Sequence, residues 1–461
     1  MFTASTPSFV TRTLSLPVDL SALQRGNPTR YPYLLESVAH GTPQSRYDLL
    51  FAFPGKRLEL HAGGDCVDEQ GAKFENGFLH ELGRCWQDQR TVVETETGVK
   101  TPFRGGWFLY LGYELAGQIE PTLNLATGKA LPIAWATRIP AAVVIDHLNS
   151  VVTLVAEAVH RELLDAMEAD LRTTRIVTTA PATLLASELR EEDPVRYLEA
   201  VNRARHYILD GDIFQANLSR LWSAELDPQA ASLDIYQRLR QANPAPFAGL
   251  ALHQDAAIIS SSPERLVSVR NGRIDARPIA GTRPRHADAR QDAALIRELI
   301  EHPKERAEHV MLLDLERNDL GRVARTGSVR VDELMVIESY THVHHIVSNV
   351  CAQLRADITP GEVMRAVFPG GTITGCPKVR CMEIIAELEQ TPREAYTGSM
   401  GYLNRDGDMD LNILIRTLVQ KGNQLEFRAG AGIVADSIPE RELDETRAKA
   451  RGMARALGVQ V

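Results

Sequence analysis

The sequence predicts an α+β fold, on three observations. Up to about residue 175 the chain consists of short apolar runs separated by turns. From about 190 to 457 such runs are mixed with amphipathic helical stretches, and the two kinds of element do not alternate as regular βαβ units. The stretch 176–192 between the portions is the best linker candidate, yet it is short and poor in Gly and Ser, so 1–175 and 190–457 are expected to form one joined unit.

In the first portion "YDLLFAFPG" (47–55) and "AAVVIDHLNSVVTLVAE" (141–157) read as antiparallel strands. In the second, Pro194 opens a helix that runs to about Leu209 and stops at Gly211, and "DIFQANLSRLW" (212–222) alternates like a strand. Further strands are expected in "AAIISSSPERLVSV" (256–269), "LNILIRTLVQ" (411–420) and "NQLEFRAGAGIV" (423–434). Helices are expected near 288–301, 303–317, 360–367, 377–389 and 438–457. The last helix has Ser437 as its expected N-cap, Pro439 in the first turn, and Glu440 closing a capping box.

Composition narrows the function. The 461 residues carry 51 Lys plus Arg against 60 Asp plus Glu, a net charge of −9, which gives no overall reason to bind nucleic acid or an anionic membrane. An anionic ligand must be caught by a local cluster. The first twenty residues lack a signal-peptide pattern, and no apolar run reaches the roughly 18 residues a membrane span needs. Cysteines 66, 85, 351, 376 and 381 form no C-x-x-C pair and are read as reduced thiols of a cytoplasmic protein, without a zinc site.

Several stretches carry chemistry. Glu442, Glu445 and Lys449 share one face of the last helix, and Glu305 and Glu308 repeat the i, i+3 spacing on the helix opened by Pro303. Each pattern alone suits a solvated helix face. Together, two such faces would offer hard oxygen ligands without His or Cys, a set that favours Mg²⁺. Gly430 to Ala435 spells G-x-G-x-x-A, but the helix begins only after Ser437 and too little chain follows for a dinucleotide fold. Strand alternation in "MDLNILIRTLV" puts Asp410, Asn412, Leu414 and Arg416 on one face. Glu264 follows a Ser-Pro turn; in "HVHHIVSN" His342 and His344 face one way and His345 the other. "RPIAGTRPR" (277–285) resembles an anion-handling loop, with the inert Ala280 at its centre.

Taken together, "RPIAGTRPR", "KERAEHVMLLDLERNDLGRV", "HVHHIVSN", "FPGGTITGCPKVRCMEIIAELE", "GSMGYLNRDGDMDLNILIRTL" and "AGAGIVADSIPERELDET" resemble the chorismate-utilising enzymes, in order from about 190 to 455. "LLESV", "PQSRYDLLFA" and "PFRGGWFLYLGYEL" extend the resemblance into the first portion. It implies the chorismate-binding, anthranilate synthase component I-like fold: two antiparallel-rich sheets in a joined core with peripheral helices. It also implies a Mg²⁺ ion and the substrate chorismate. On matching positions Glu308 and Glu445 would be the principal metal carboxylates, helped by Glu305 and Glu442. Arg416, Tyr396 and Lys449 would hold the substrate, approached by the backbone of Gly281, Thr282, Gly430 and Gly432. Glu264 would protonate the departing 4-hydroxyl, and His345 would act as a base or positioning group.

Water-using relatives carry a lysine where this chain has Gln215, which cannot act as a base, so ammonia is the implied nucleophile. The chain has no recognisable glutaminase segment, which implies a separate glutamine amidotransferase subunit as partner. "PIAGT" is the anthranilate synthase form, whereas many aminodeoxychorismate synthases place a nucleophilic lysine at the position of Ala280. "PGGTITG", "QANLSR" and "GSMGYLNRDGDMDLNILIRT" resemble the aminodeoxychorismate side, which the resemblance favours overall. Ser37, Gln44, Ser45, Arg46 and Tyr47, with Pro246, Phe247 and Ala248, match positions where relatives hold tryptophan. Strand residues packed in a core would look the same.

Overall fold

The structure is a computed structural model that describes residues 8–15, 17–39, 45–91, 101–174, 183–340 and 343–460. Its frame is two large antiparallel sheets, and each takes strands from both portions of the chain. In the first sheet, strands 9–14, 151–157, 141–146, 47–52 and 33–36 continue directly into 247–253, 256–262, 417–421, 424–433 and 215–225. The seam is the pairing of Tyr33–Glu36 with Phe247–His253. In the second sheet, strands 343–353, 273–276, 265–270, 409–412 and 399–404 continue into 106–111, 134–139 and 57–60, joined where Ser399 pairs with Leu111.

The sheets pack through an aromatic core. Tyr33 of the first stacks on Phe108 of the second at 3.9 Å between ring centroids, and Phe51 meets Phe103 edge-on at 4.9 Å. Such offset and edge contacts add to the burial of large apolar area. Helices cover the other faces. Leu20–Gly26, Leu163–Thr173, Ser232–Ala242 and Pro439–Ala456 pack on the first sheet, and Phe78–Gln89, Pro303–Gly321 and Pro360–Val367 on the second.

Pro194–Leu209 is helical as the sequence predicts, capped by the Asp193 side chain, and Gly211 follows at φ +86°. The predicted helices near 288–301, 303–317, 360–367 and 377–389 are also present, the second extending to Gly321. Two expectations need correction. "MDLNILIRTLV" is not one strand: Met409–Asn412 belongs to the second sheet, Thr417–Lys421 to the first, and residues 413–416 cross between them. Apolar alternation fits either sheet, so the pattern hides the crossing. Ser437 does not cap the last helix; Ile438 holds that position, and the Ser437 hydroxyl instead accepts the Val434 N–H at 3.0 Å. The capping box with Glu440 is therefore absent.

Candidate active site

A second crossing lies beside the first. The strand Ala256–Ser262 belongs to the first sheet and Arg265–Arg270 to the second, so the chain changes sheets at Pro263–Glu264. The two crossings are tied together: Ile413 N–H donates to the Glu264 carbonyl at 3.0 Å, Ser261 N–H to the Arg416 carbonyl at 3.1 Å, and the Ser262 hydroxyl to the Ile413 carbonyl at 2.5 Å. Irregular backbone is thereby satisfied internally, and it brings the Glu264 carboxyl and the Arg416 guanidinium to one junction. Arg416 adopts left-handed φ, +54°, as the chain turns between sheets.

Around this junction opens a cavity of about 900 Å³. Its walls include Ala280, Gly281, Thr282, His345, Arg416 and Gly432, and its mouth carries Glu305, Glu308, Glu442, Glu445 and Lys449. The structure thus gathers most of the residues singled out in the sequence. Three stand apart. Glu264 is buried next to the wall residue Pro263; Gly430 lies two residues before Gly432 on the same strand without lining the cavity; and Tyr396 lines a neighbouring cavity of about 520 Å³ with Arg393 and Arg428. A Cβ on Gly430 would come within 2.7 Å of the Tyr396 hydroxyl, so the missing side chain at 430 lets that tyrosine approach the strand.

Glu264 is buried, and its Oε1 has no hydrogen-bond partner among the described residues. Burial pushes its carboxyl up to about 7, against the pull of the Thr372 hydroxyl, the Ile279 N–H, Arg416 and Lys449. Arg416 makes no side-chain hydrogen bond or ion pair among the described residues, which leaves an uncommitted cation in the wall. His345 is bound to the Thr282 hydroxyl through Nδ1 at 2.9 Å, and burial lowers it to about 4, so the ring is neutral at pH 7. Gly281 stands at φ +56° in a bulge between Ala280 and Thr282; a Cβ there would lie 2.9 Å from Glu305 Oε2.

The two Glu-x-x-Glu faces converge. Burial and the neighbouring carboxylates Glu305 and Glu445 raise Glu308, opposed by Lys304; burial and Glu445 raise Glu442, opposed by the Ser437 hydroxyl. Lys449 bridges Glu445 at 2.7 Å and the Gly430 carbonyl at 2.9 Å, and Arg283 pairs with Glu305 at 3.1 Å. Four carboxylates lining one cavity without His or Cys ligands among them are of the kind a hard divalent cation takes, although no three of them bring their oxygens within 4.8 Å of one another in this structure. The loop arginines hold their surroundings: Arg277 pairs with Glu338 at 2.6 Å and Arg285 with Asp292 at 3.2 Å.

Sequence reasoning passed over Thr372 and Asn217. Both line the cavity, and the Thr372 hydroxyl and Asn217 Oδ1 have no partner among the described residues. Their signal, a polar residue in a glycine-rich turn or on a strand, is too common to single out.

The model of the chorismate binding enzyme family matches residues 43–455. The chain belongs to the chorismate-binding enzymes. Among its relatives, an "anthranilate synthase component I-like protein" of Synechocystis sp. is 41% identical over 381 residues, covering 82% of this chain and 78% of that one. The "aminodeoxychorismate synthase component 1" of Bacillus subtilis is 42% identical over 380 residues, covering 79% and 80%. The crystal structure of anthranilate synthase component I from Streptococcus pneumoniae superposes with a TM-score of 0.78 at 32% identity, over 91% of this chain and 94% of that one. The fold is therefore the chorismate-binding, anthranilate synthase component I-like one expected from the sequence.

This chorismate-binding enzyme has a smaller pocket of about 160 Å³ where its two sheets meet, lined by Ser37, Arg46, Tyr47, Pro246, Phe247 and Ala248 among others. Ser45 is buried nearby without lining it, and Gln44, like His342, lies outside the described residues. The five cysteines are unpaired, and no helix of the described residues is long and apolar enough to cross a membrane.

Proposed function

We propose that the protein is the synthase component of an aminodeoxychorismate synthase, converting chorismate and ammonia to 4-amino-4-deoxychorismate and water. The ammonia would come from glutamine through a separate amidotransferase subunit, as the "component 1" name of the Bacillus subtilis relative suits. The observation that carries the reading is the pairing at one junction of a buried carboxyl raised to about 7 with an uncommitted arginine, beneath the converging carboxylates.

Bound Mg²⁺ would be held by Glu308 and Glu445, with Glu305 and Glu442 in support, and would neutralise a substrate carboxylate while acting as a Lewis acid. Arg416 and Lys449 hold the anionic ends of the substrate. Glu264, whose carboxyl burial raises to about 7 so that about half of it keeps its proton at neutral pH, gives that proton to the departing hydroxyl, which leaves as water. Neutral His345, fixed by Thr282, positions the ring. Tyr396 acts from behind the strand, through its contact with Gly430, rather than from the cavity wall.

Ala280 presents a methyl group to the cavity, so no lysine attacks from that position. Lys304, nearby, has its ammonium form favoured by Asp436 and Glu308 over the opposing effect of burial, which leaves it a poor nucleophile. Ammonia itself attacks C2 as the hydroxyl leaves C4, and a second ammonia then attacks C4 and expels the C2 amine. Atoms balance: one ammonia is retained and one released. The 2-amino species should therefore appear transiently in quenched time courses with chorismate, Mg²⁺ and ammonium, and the isolated species should become the 4-amino product.

The second reading, anthranilate synthase component I, is favoured by Ala280 itself and by the name of the Streptococcus pneumoniae structure. Conversion of the isolated intermediate to pyruvate and fluorescent anthranilate as the main outcome would establish that reading and overturn the first.

A further inference from the structure

The carboxylates at the cavity mouth do not meet, and three of them have a cation of their own. Arg283 takes Glu305 at 3.1 Å, Lys449 takes Glu445 at 2.7 Å, and Lys304 stands 4.0 Å from Glu308. A divalent cation shared by the two helices has to draw Glu308 and Glu445 off these partners.

Lys304 is placed unlike the other two. Arg283 sits on the strand Ile279–Pro284, and Lys449 is anchored a second time by the Gly430 carbonyl at 2.9 Å. Lys304 lies in the first turn of the helix Pro303–Gly321 and reaches Asp436 at 3.1 Å, in the turn that leads into the helix Pro439–Ala456. It therefore bridges the two elements that carry the Glu-x-x-Glu faces, and it lines the cavity together with all four of their carboxylates. Its side chain is 47% exposed, so it can leave for solvent without unpacking a core. Carboxylates on two helices repel while the cavity is empty, and a positive charge between them relieves this. The compact ammonium of a lysine on its flexible stem can supply that charge and then move away.

We propose that Lys304 is the resting counter-ion of the metal site: it holds the cation's place between the two carboxylate faces and swings out to solvent when a divalent cation binds. This rests on the metal reading given above. The exchange replaces a single charge by a double one, and it parts the Lys304–Asp436 bridge across the mouth. Lys304 touches no reacting atom; it is a positioning residue that sets the affinity for the metal.

The test begins with calorimetric titration of Mg²⁺ into the purified chain without substrate. Lys304→Met, at a half-exposed position that does not threaten the fold, is expected to bind Mg²⁺ roughly tenfold tighter than the wild type, with the ratio shrinking at high salt. Loss of any nearby positive charge would tighten binding to some degree, so a second measurement follows the side chain itself. Under limiting acetic anhydride, read by peptide mass, Lys304 of the wild type should be acetylated several-fold faster with saturating Mg²⁺ than without it. Lys73, paired with Asp65, should not respond. Equal Mg²⁺ affinities in the two chains, or tighter binding with unchanged acetylation of Lys304, overturn the proposal and leave the metal reading standing. Binding by Lys304→Met alone supports the proposal, since the lysine then blocks the site outright. Binding by neither chain overturns the metal reading and the proposal with it.

Discussion

The largest cavity and the small pocket between the sheets differ in how their polar walls are satisfied. In the large one Gln215 Oε1, Asn217 Oδ1 and Thr372 Oγ1, and beside it Glu264 Oε1, have no partner among the described residues, and among them Arg416 is unpaired. In the small one, Arg46 pairs with Asp146 at 2.8 Å, Arg265 with Asp410 at 2.8 Å, and Asp48 accepts the Ser37 N–H at 2.8 Å. Unmet buried polar groups cost stability and persist where a ligand meets them. The large cavity is built to be completed from outside; the small one is already complete.

The largest way to break this contrast is to remove the charge at the mouth of the large cavity. Glu308→Gln and Glu445→Gln are each expected to abolish turnover and to weaken Mg²⁺ binding, read by calorimetry, by roughly a hundredfold. Full activity of either variant at ordinary Mg²⁺ would remove these residues from the metal site.

Glu264→Gln should have a different signature. It should lower kcat by about 10² to 10⁴ while leaving KM nearly unchanged, because its proton is needed only as the C4–O bond breaks. In the wild type, kcat should fall as pH rises through about 7, the value to which burial lifts this carboxyl. Between the ordinary carboxylate value and about 7 the folded chain keeps a proton that the unfolded chain has lost, so this group makes stability decline with rising pH. Glu264→Gln should remove that slope and raise Tm at pH 8 by roughly a few degrees. A pure rise in KM would reassign Glu264 to binding.

Legibility in the sequence followed what each residue depends on. Helices opened by Pro194 and Pro303 were readable because a proline start and i, i+3 spacing are local, and the same locality exposed both Glu-x-x-Glu faces. The crossings at Pro263–Glu264 and Ile413–Arg416 were not, since a strand that changes sheets keeps its apolar alternation. Tyr396 carries no mark of lying behind Gly430, because that contact joins distant segments.

The smallest effect belongs to the small pocket, where relatives are expected to hold tryptophan. A zwitterionic amino acid brings one cation and one anion into walls whose charges are already paired, so it must open pairs such as Arg46–Asp146 to be held. The Arg46 guanidinium also lies 4.7 Å from the Tyr47 ring centroid, a second contact that entry would disturb. We therefore expect a retained pocket that binds tryptophan weakly, with weak or absent inhibition of chorismate turnover. Calorimetry that detects no binding, together with no tryptophan in an extract of the denatured protein, would reduce the pocket to a seam between the sheets. Tight binding with strong inhibition would show the reverse, that paired walls open for a ligand, and pairing would then cease to distinguish the two cavities.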